Sequence, residues 1–507
     1  MALLEFIATI WMGIIDIGRG FYGEPKMSHK NAIHFHNTLS GELEAFTPLR
    51  SGYVKMYHCG PTVYGVQHIG NLSMFVFTDI LRRTLEWNEY HVQQVINITD
   101  VGHLVSDGDD GEDKMTKGLK RDKKALTLEN MRALAEKYAE IFLKDLEILN
   151  VRTTDTKFPR ASDYIAAQIA MIKTLEEKNY AYAGEHGVYF NTAQFPDYGK
   201  LGNINLEGLK EGARVDAVAE KRSPTDFLLW KFDKKLGWES PWGLGFPGWH
   251  IECSAMIRSI LGDKIDIHTG GIEHIPVHHN NEIAQSEAAT GKKPFANYWL
   301  HRAHLQIDGG KIAKSSGAVV YLSEILEKGF HRMAFRYLLL GAHYRSSSNF
   351  SWDALAAAQT AYLKLRKLVD EHPEGTTVFP EPYKARFREA INNDLNTPAA
   401  LAVMWEMIND KDIAPENLRS GLLAMDEVFG LGLSESDAAA VELYRKELGQ
   451  AVSMAEIPER VKELLDEREL ARAEKRWDDA DQARKNIEAE GYRVEDTNDG
   501  PRVVAKY

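Results

Sequence analysis

The chain of 507 residues carries a formal net charge of −13, with 44% hydrophobic and 27% charged residues. That composition describes a globular protein of several domains and excludes a disordered, collagenous or membrane-embedded one. The acidic balance argues against nonspecific coating of nucleic acid, although a local basic face can survive an acidic average. The two cysteines, Cys59 and Cys253, are not in a C-x-x-C pair. This excludes a secreted disulfide framework and fits a reducing, cytoplasmic setting, with buried inert thiols as the simplest reading of the pair.

Residues 1–26 are apolar but interrupted by Glu5 and Asp16, with no basic leading segment. They are too short to span a bilayer and make a poor signal peptide. The expectation is a dispensable extension, with the functional chain starting near Met27, or alternatively a small docking helix. No membrane partner is expected.

Tyr57 to Asn71 reads as a strand ending near Cys59, a Gly-Pro turn, and a helix opening at His68-Ile-Gly-Asn71, with Met74, Phe77 and Leu81 at helical spacing. Such a junction offers unpaired N–H groups and a positive dipole end to a phosphate, a weak signal on its own. His91 to Thr99 reads as a buried strand, completing a βαβ unit and implying a parallel sheet. Val105 to Lys124 reads as an exposed loop. Leu126–Asn150 and Ala166–Lys178 have helical periodicity, and Tyr180 to Asn191 reads as a hairpin turning at Glu185-His186-Gly187. Lys221–Trp230 and Gly237–Pro247, rich in Pro, Gly and Trp, read as loops returning an inserted module to the main sheet.

Ile265 to Gly271 reads as a buried strand, and the segment from Glu273 starts a helix on which His278 and Glu282, four apart, share a face. Two soft thiolates, an imidazole and a carboxylate form a plausible zinc set; a surface His and Glu beside two core cysteines is the alternative. Leu305 to Ser316 carries a Gly-Gly turn and then Lys311 and Lys314, suited to clamping phosphates or simply solvated. Residues 323–432 suggest a helical bundle that includes a periodic stretch from Phe387 to Met407 with Asp394–Pro398 inside it. In the tail, Arg468, Arg472, Lys475 and Arg476 fall on one face of a helix next to Trp477. This is a candidate RNA face, or a solvated helix with Trp477 in the core.

In this order, the runs C-G-P-T-V-Y, H-I-G-N, N-I-T-D, R-A-S-D-Y, G-A-R-V-D, D-F-L-L-W-K, P-G-W-H-I-E-C-S-A-M and H-H-N-N-E-I-A-Q resemble those of the cysteinyl-tRNA synthetases, class I aminoacyl-tRNA synthetases, across about residues 30–507. The resemblance implies an α/β fold: a split Rossmann-type parallel-sheet catalytic domain (27–140 and 241–322) with an inserted connective module (141–240). A helical bundle (323–432) and a C-terminal anticodon-binding region (433–507) would follow. It implies one zinc ion on Cys59, Cys253, His278 and Glu282. ATP, with Mg2+, would meet His68, Gly70, Asn71, Glu273, Lys311, Lys314 and Ser315, with His68, Asn71 and both lysines catalytic. Gly60, Thr99, Trp249 and His268 would line a pocket for L-cysteine, and tRNA(Cys) would be the partner of a cytoplasmic monomer.

The sequence departs from the family pattern at Ile312 and Ala313 (usually Met and Ser), Thr269 (glycine), Glu273 (aspartate) and Asn280 (glutamate). These imply a retuned lysine-loop closure and altered fine geometry with the reaction class kept. Two rivals stand beside this reading. A mycothiol-type cysteine ligase acting on an amino sugar would lack the full anticodon-like tail, and a noncatalytic RNA-binding paralogue would have lost a signature lysine or a zinc ligand.

Overall fold

A computed structural model of the chain describes residues 32–101, 114–204, 220–307, 310–311, 319–372, 378–448, 450–451, 454, 456–497 and 500–505. The expectations for residues 1–26 and for Lys314 and Ser315 fall outside them. At the centre lie four parallel strands, β1 (Tyr53–His58), β2 (His91–Ile96), β3 (Ile265–Gly271) and β4 (Ala296–Arg302), in the order β4-β3-β1-β2. β3 is buried at every position, as a strand covered on both faces requires. Helix α1 (Ile69–Trp87) crosses from β1 to β2 and buries Leu72, Val76, Phe77 and Leu81. The chain leaves β1 toward β2 while β3 lies on its other side. The strand order therefore reverses between β1 and β3, the position beyond whose carboxyl ends open α/β sheets bind their ligands.

The segment between β2 and β3 holds helices Leu128–Ile148 and Ile165–Glu177 and an antiparallel sheet of Ala181–Ala183, Gly187–Phe190, Phe227–Phe232 and Gly245–Pro247. The hairpin forms as its turn signal implies. The two stretches read as loops do not remain so, since each contains a strand of this sheet. Phe227-Leu-Leu-Trp-Lys-Phe232 is apolar and aromatic enough to pair with Gly187–Phe190, and the flanking Pro and Gly only bound it. Part of the expected 105–124 loop is likewise a helix, Lys114–Arg121. Its Met115 and Leu119, four apart, pack with Leu134 and Tyr138.

Beyond β4, helices Arg332–Leu340, Trp352–Glu371, Glu381–Asn392, Thr397–Asn409 and Pro415–Phe429 form the bundle. The periodic stretch from Phe387 to Met407 is two helices. Asp394 and Leu395 take left-handed backbone angles (φ 55° and 54°) between them, and Asn396 caps the second. The Asp394 carboxylate holds the break by accepting from Tyr344 Oη at 2.6 Å, Arg345 Nε at 2.7 Å and His36 N at 2.9 Å. Glu459–Ala473, Trp477–Ala489 and the strand pair Tyr492–Thr497 and Gly500–Ala505 enclose a separate core around Val461, Leu465, Ile487 and Val503. No helix among the described residues is long and apolar enough to cross a membrane.

The bundle shares one hydrophobic core with α1. Within it the fully buried Arg336 donates to Asp79 of α1 at 2.5 Å, to Phe429 O at 2.6 Å and to Leu149 O at 2.9 Å. Arg83 also donates to Asp79, at 2.6 Å. Gly430, left-handed at φ 66°, is where Arg336 needs room: a Cβ there would lie 2.4 Å from its Nη2.

Burial alone would raise the Asp79 carboxyl, but Arg83 and Arg336 hold it below its ordinary value. A depressed folded-state pKa contributes stability that is present above the ordinary carboxylate range and lost as pH falls through the folded value. Asp79→Asn should therefore lower stability to urea at pH 7 by about 3–5 kcal/mol. Its difference from wild type should shrink below about pH 4.

Candidate metal centre and active site

Cys59 follows β1, and its N–H donates to Thr269 O of β3 at 3.2 Å, so the thiol sits at the strand-order reversal. Helix α2 (Trp249–Ile260) presents Trp249, Glu252 and Cys253 at i, i+3 and i+4 on one face. Helix α3 (Asn280–Thr290) is preceded by a π-helical turn, Ile275–His279. The wider turn lets the consecutive His278 and His279 both point inward, a use of π geometry common at functional sites. The ligand atoms of Cys59, Cys253, His278 and Glu282 all lie within 4.8 Å of one another, and all four residues are buried. A second set, Cys59, His268, His279 and Glu282, meets the same limit and shares two members with the first.

Glu282 joins the sets: Oε1 lies 3.0 Å from His278 Nε2, and Oε2 lies 2.9 Å from His268 Nε2. Burial opposes its charge, but His268 and His278 outweigh burial and hold the carboxyl well below the usual carboxylate range. Burial would also lower His278, yet Cys253 and Glu282 raise it to about 10. Burial pushes the Cys59 thiol up. A hydrogen bond from Cys59, more than any other effect, brings Cys253 down to about 6. The site thus favours thiolate at one cysteine and offers two nitrogen or oxygen donors beside it.

Thr99 is bridged to Thr62, two residues beyond Gly60: Val63 N donates to Thr99 O at 3.1 Å and Thr99 N to Pro61 O at 3.0 Å. Gly60 has to be glycine, because a Cβ would lie 1.5 Å from Asn97 O. The Trp249 ring lies 4.2 Å from the His278 ring, and His268 stacks on Trp299 at 4.4 Å. Trp249 of α2 and His268 of β3 therefore border the cysteine and histidine cluster, and Gly60 is next to Cys59 in the chain. Asn280, one of the departures from the family pattern, clamps the inserted segment by donating to Leu201 O at 3.2 Å and to Ile275 O at 2.7 Å.

His68 caps α1: its Nδ1 accepts from Asn71 N at 3.2 Å, which leaves the ring proton on Nε2. Gly70 lies in the first turn. His68 pairs with Tyr321, and Ile69 N donates to Val320 O at 3.0 Å. The chain returning from the lysine stretch is thereby tied to the start of α1. Lys311 ends a two-residue strand paired with Gln306. Glu273 lies in a 3-10 turn with a partly exposed carboxylate 3.5 Å from His304 Nδ1.

Sequence reasoning did not single out Asn97, Glu252, His279, His301 or Arg302. Asn97, Glu252 and His279 stood inside the motif runs, but their burial was not legible there.

The tail does not present its cations as projected. Its helix ends at Ala473 and Lys475 turns left-handed at φ 58°, so Lys475 and Arg476 lie beyond the shared face. Arg468 is buried and pairs with Asp496 at 2.9 Å, Arg472 joins the same carboxylate at 2.6 Å, and Arg476 pairs with Glu474 at 2.8 Å. Trp477 is 60% exposed and is not a core residue.

The overlapping donor sets make different demands. Cys253→Ser and His278→Ala should each weaken Zn2+ binding, measured by competition with a chromophoric chelator, by about 100-fold if the first set holds the ion. His279→Gln should then change it by less than about 10-fold. The reverse ranking would assign the metal to the second set.

The chain matches the family model described as tRNA synthetases class I (C) catalytic domain over residues 45–360, the DALR domain over 386–433, and the cysteinyl-tRNA ligase anticodon binding domain over 454–502. A curated relative, cysteine–tRNA ligase 1 of Burkholderia lata, is 48% identical over 477 residues, covering 93% of this chain and 96% of its own. The cysteine–tRNA ligase of Treponema denticola is 41% identical over 501 residues, covering 92% and 98%. That of Zymomonas mobilis is 39% identical over 510 residues, covering 92% and 96%.

Proposed function

The chain belongs to the cysteinyl-tRNA synthetase family of class I aminoacyl-tRNA synthetases, and from that premise we propose how its residues divide the work of an ATP-dependent cysteine–tRNA ligase. An oxygen of the cysteine carboxylate attacks the α-phosphorus of ATP, which enters with Mg2+, and pyrophosphate leaves. A terminal ribose hydroxyl of tRNA(Cys) then attacks the cysteinyl carbonyl and AMP leaves.

The observation that carries this division is the convergence of Cys59, Cys253, His278 and Glu282 beyond the ends of β1 and β3. Two soft sulfurs, an imidazole and a carboxylate whose donor atoms already meet fit a zinc ion. Zinc held there would bind a thiolate far better than a hydroxyl and lower the pKa of the thiol it receives. That answers the hardest demand on the site, because serine is nearly isosteric with cysteine and pocket size separates such pairs poorly.

Gly60, Thr99, Trp249 and His268 line the amino-acid side. On the nucleotide side, the first turn of α1 with Gly70 and Asn71 offers N–H groups and a positive dipole end to the phosphates, and His68 adds a ring N–H. Glu273 serves the nucleotide from the β3 end. Lys311 and Lys314 neutralise charge that grows on the leaving pyrophosphate, and Ser315 adds a hydroxyl hydrogen bond. Ile312 and Ala313 slow the closure of that loop without removing its charges.

The anticodon region works through its exposed Trp477, suited to stacking on an unpaired base, with the neighbouring Lys475 toward phosphates. Arg468 contributes to that region's internal packing. A separate C-terminal core with a matched anticodon-binding domain favours tRNA over an amino sugar as the acceptor. The enzyme acts as a cytoplasmic monomer.

Cysteine-dependent ATP–pyrophosphate exchange, with serine as control, is the direct test. Wild type should exchange with cysteine alone, and Cys253→Ser should fall by about 100-fold. Lys311→Ala should lower kcat by about 100- to 1,000-fold with little change in KM for cysteine. No exchange from folded, zinc-loaded protein, with or without tRNA, would overturn the reading and leave a noncatalytic RNA-binding role.

A further inference from the structure

Glu252 is fully buried on the face of α2 that also carries Trp249 and Cys253, and no step above uses it. Its Oε2 accepts from Thr99 Oγ1 at 3.1 Å, and its Oε1 has no hydrogen-bond partner among the described residues. Thr99 Oγ1 in turn receives Asn97 Nδ2 at 3.3 Å, and Asn97 Oδ1 accepts from Gly60 N at 2.7 Å. One string of hydrogen bonds thus joins Gly60 and Thr99, both on the amino-acid side, to a buried carboxyl group with an unsatisfied oxygen; burial raises that group well above its ordinary pKa, so its charge needs a cation beside it.

The direction of that string matters. Thr99 has one hydroxyl proton, given to Glu252, and one lone pair occupied by Asn97, so toward a ligand it offers only a lone pair. An amino acid brings an α-ammonium with three N–H donors, and burying that cation requires acceptors and a compensating negative charge. Gly60, Thr99, Trp249 and His268 include no anion. Glu282 is engaged by two histidines, and Asp100 accepts from Ser162 N at 2.9 Å and Ser162 Oγ at 2.5 Å.

We propose that Glu252 forms the α-ammonium subsite of the cysteine pocket, orienting the Thr99 hydroxyl as an acceptor through one oxygen and accepting an ammonium N–H with the other. This deepens the reading of the site as a cysteine-activating one and rests on it. Thiol and ammonium would then be recognised by neighbouring residues of one helix, Cys253 through the metal and Glu252 directly.

The test compares L-cysteine with 3-mercaptopropionate, which keeps the thiol and carboxylate and lacks the ammonium. Both are titrated calorimetrically into the zinc-loaded holoenzyme, and KM for cysteine and for ATP are read from exchange. Wild type should prefer cysteine. Glu252→Gln should weaken cysteine by about 10- to 100-fold, the range for a charge-assisted hydrogen bond, and leave 3-mercaptopropionate within about 2-fold. KM for ATP and zinc content should hold. Thr99→Val should lose part of the same preference, and it decides the matter if Glu252→Gln fails to fold. Equal weakening of both ligands, or no change in either, would overturn the assignment while leaving cysteine activation intact. Absence of cysteine binding and exchange in wild type would instead sink the parent reading, and this one with it.

Discussion

The site is organised around one fully buried carboxylate. Glu282 has both oxygens taken by imidazoles, His278 at 3.0 Å and His268 at 2.9 Å, and each imidazole must be held in turn. His268 is stacked flat on Trp299 of β4. Beside it, His279 Nε2 lies 3.3 Å from Cys59 Sγ, His279 Nδ1 lies 2.7 Å from His301 Nε2, and His301 Nδ1 lies 2.7 Å from Thr38 Oγ1. A buried charge costs several kcal/mol unless its partners are themselves fixed. The relay from Thr38 to Glu282 is how elements far apart in sequence meet that condition. It also explains the π turn before α3, since an ordinary α turn would carry one of the adjacent histidines away from the cluster.

A second buried charge cluster fixes how the bundle sits on α1. The Arg336 guanidinium has acceptors at Asp79, Phe429 O and Leu149 O, so only one seating of the bundle on α1 satisfies it. The other end of α1 is fixed by the pairing of His68 with Tyr321. Helix α1 is therefore held at its start and in its second half by the part of the chain that leads to the DALR and anticodon-binding domain matches.

Much of this was legible in the sequence, for identifiable reasons. The strand, glycine turn and helix at Tyr57–Asn71 and the four-residue spacing of His278 and Glu282 are local patterns, and both formed. Motif order located Cys59 and Cys253 as a pair, which no spacing could do. The hidden parts were those decided by distant contacts. Phe227–Phe232 became a strand because Gly187–Phe190 offered it an edge, against its own flanking Pro and Gly. Glu252 was one more residue of a motif run until Thr99, 153 positions away, was placed against it. The tail misled for a different reason. A helical projection assumes the helix continues, and Lys475 ends it in a left-handed position that glycine usually marks.

The distance along the chain between the two halves of the site has a further consequence, in time. Cys59 and His279 are 220 residues apart, with the whole inserted module between them. A ribosome adding about 5–20 residues per second needs roughly 10–45 seconds to cover that span. During that interval β1 has no β3 to pair with, and the Cys59 thiol waits on the nascent chain without the residues that will bury it. The centre therefore cannot form as a local knot that nucleates folding. It closes late, after β3 and α3 have emerged, and until then the thiol's survival depends on the reducing power of its surroundings.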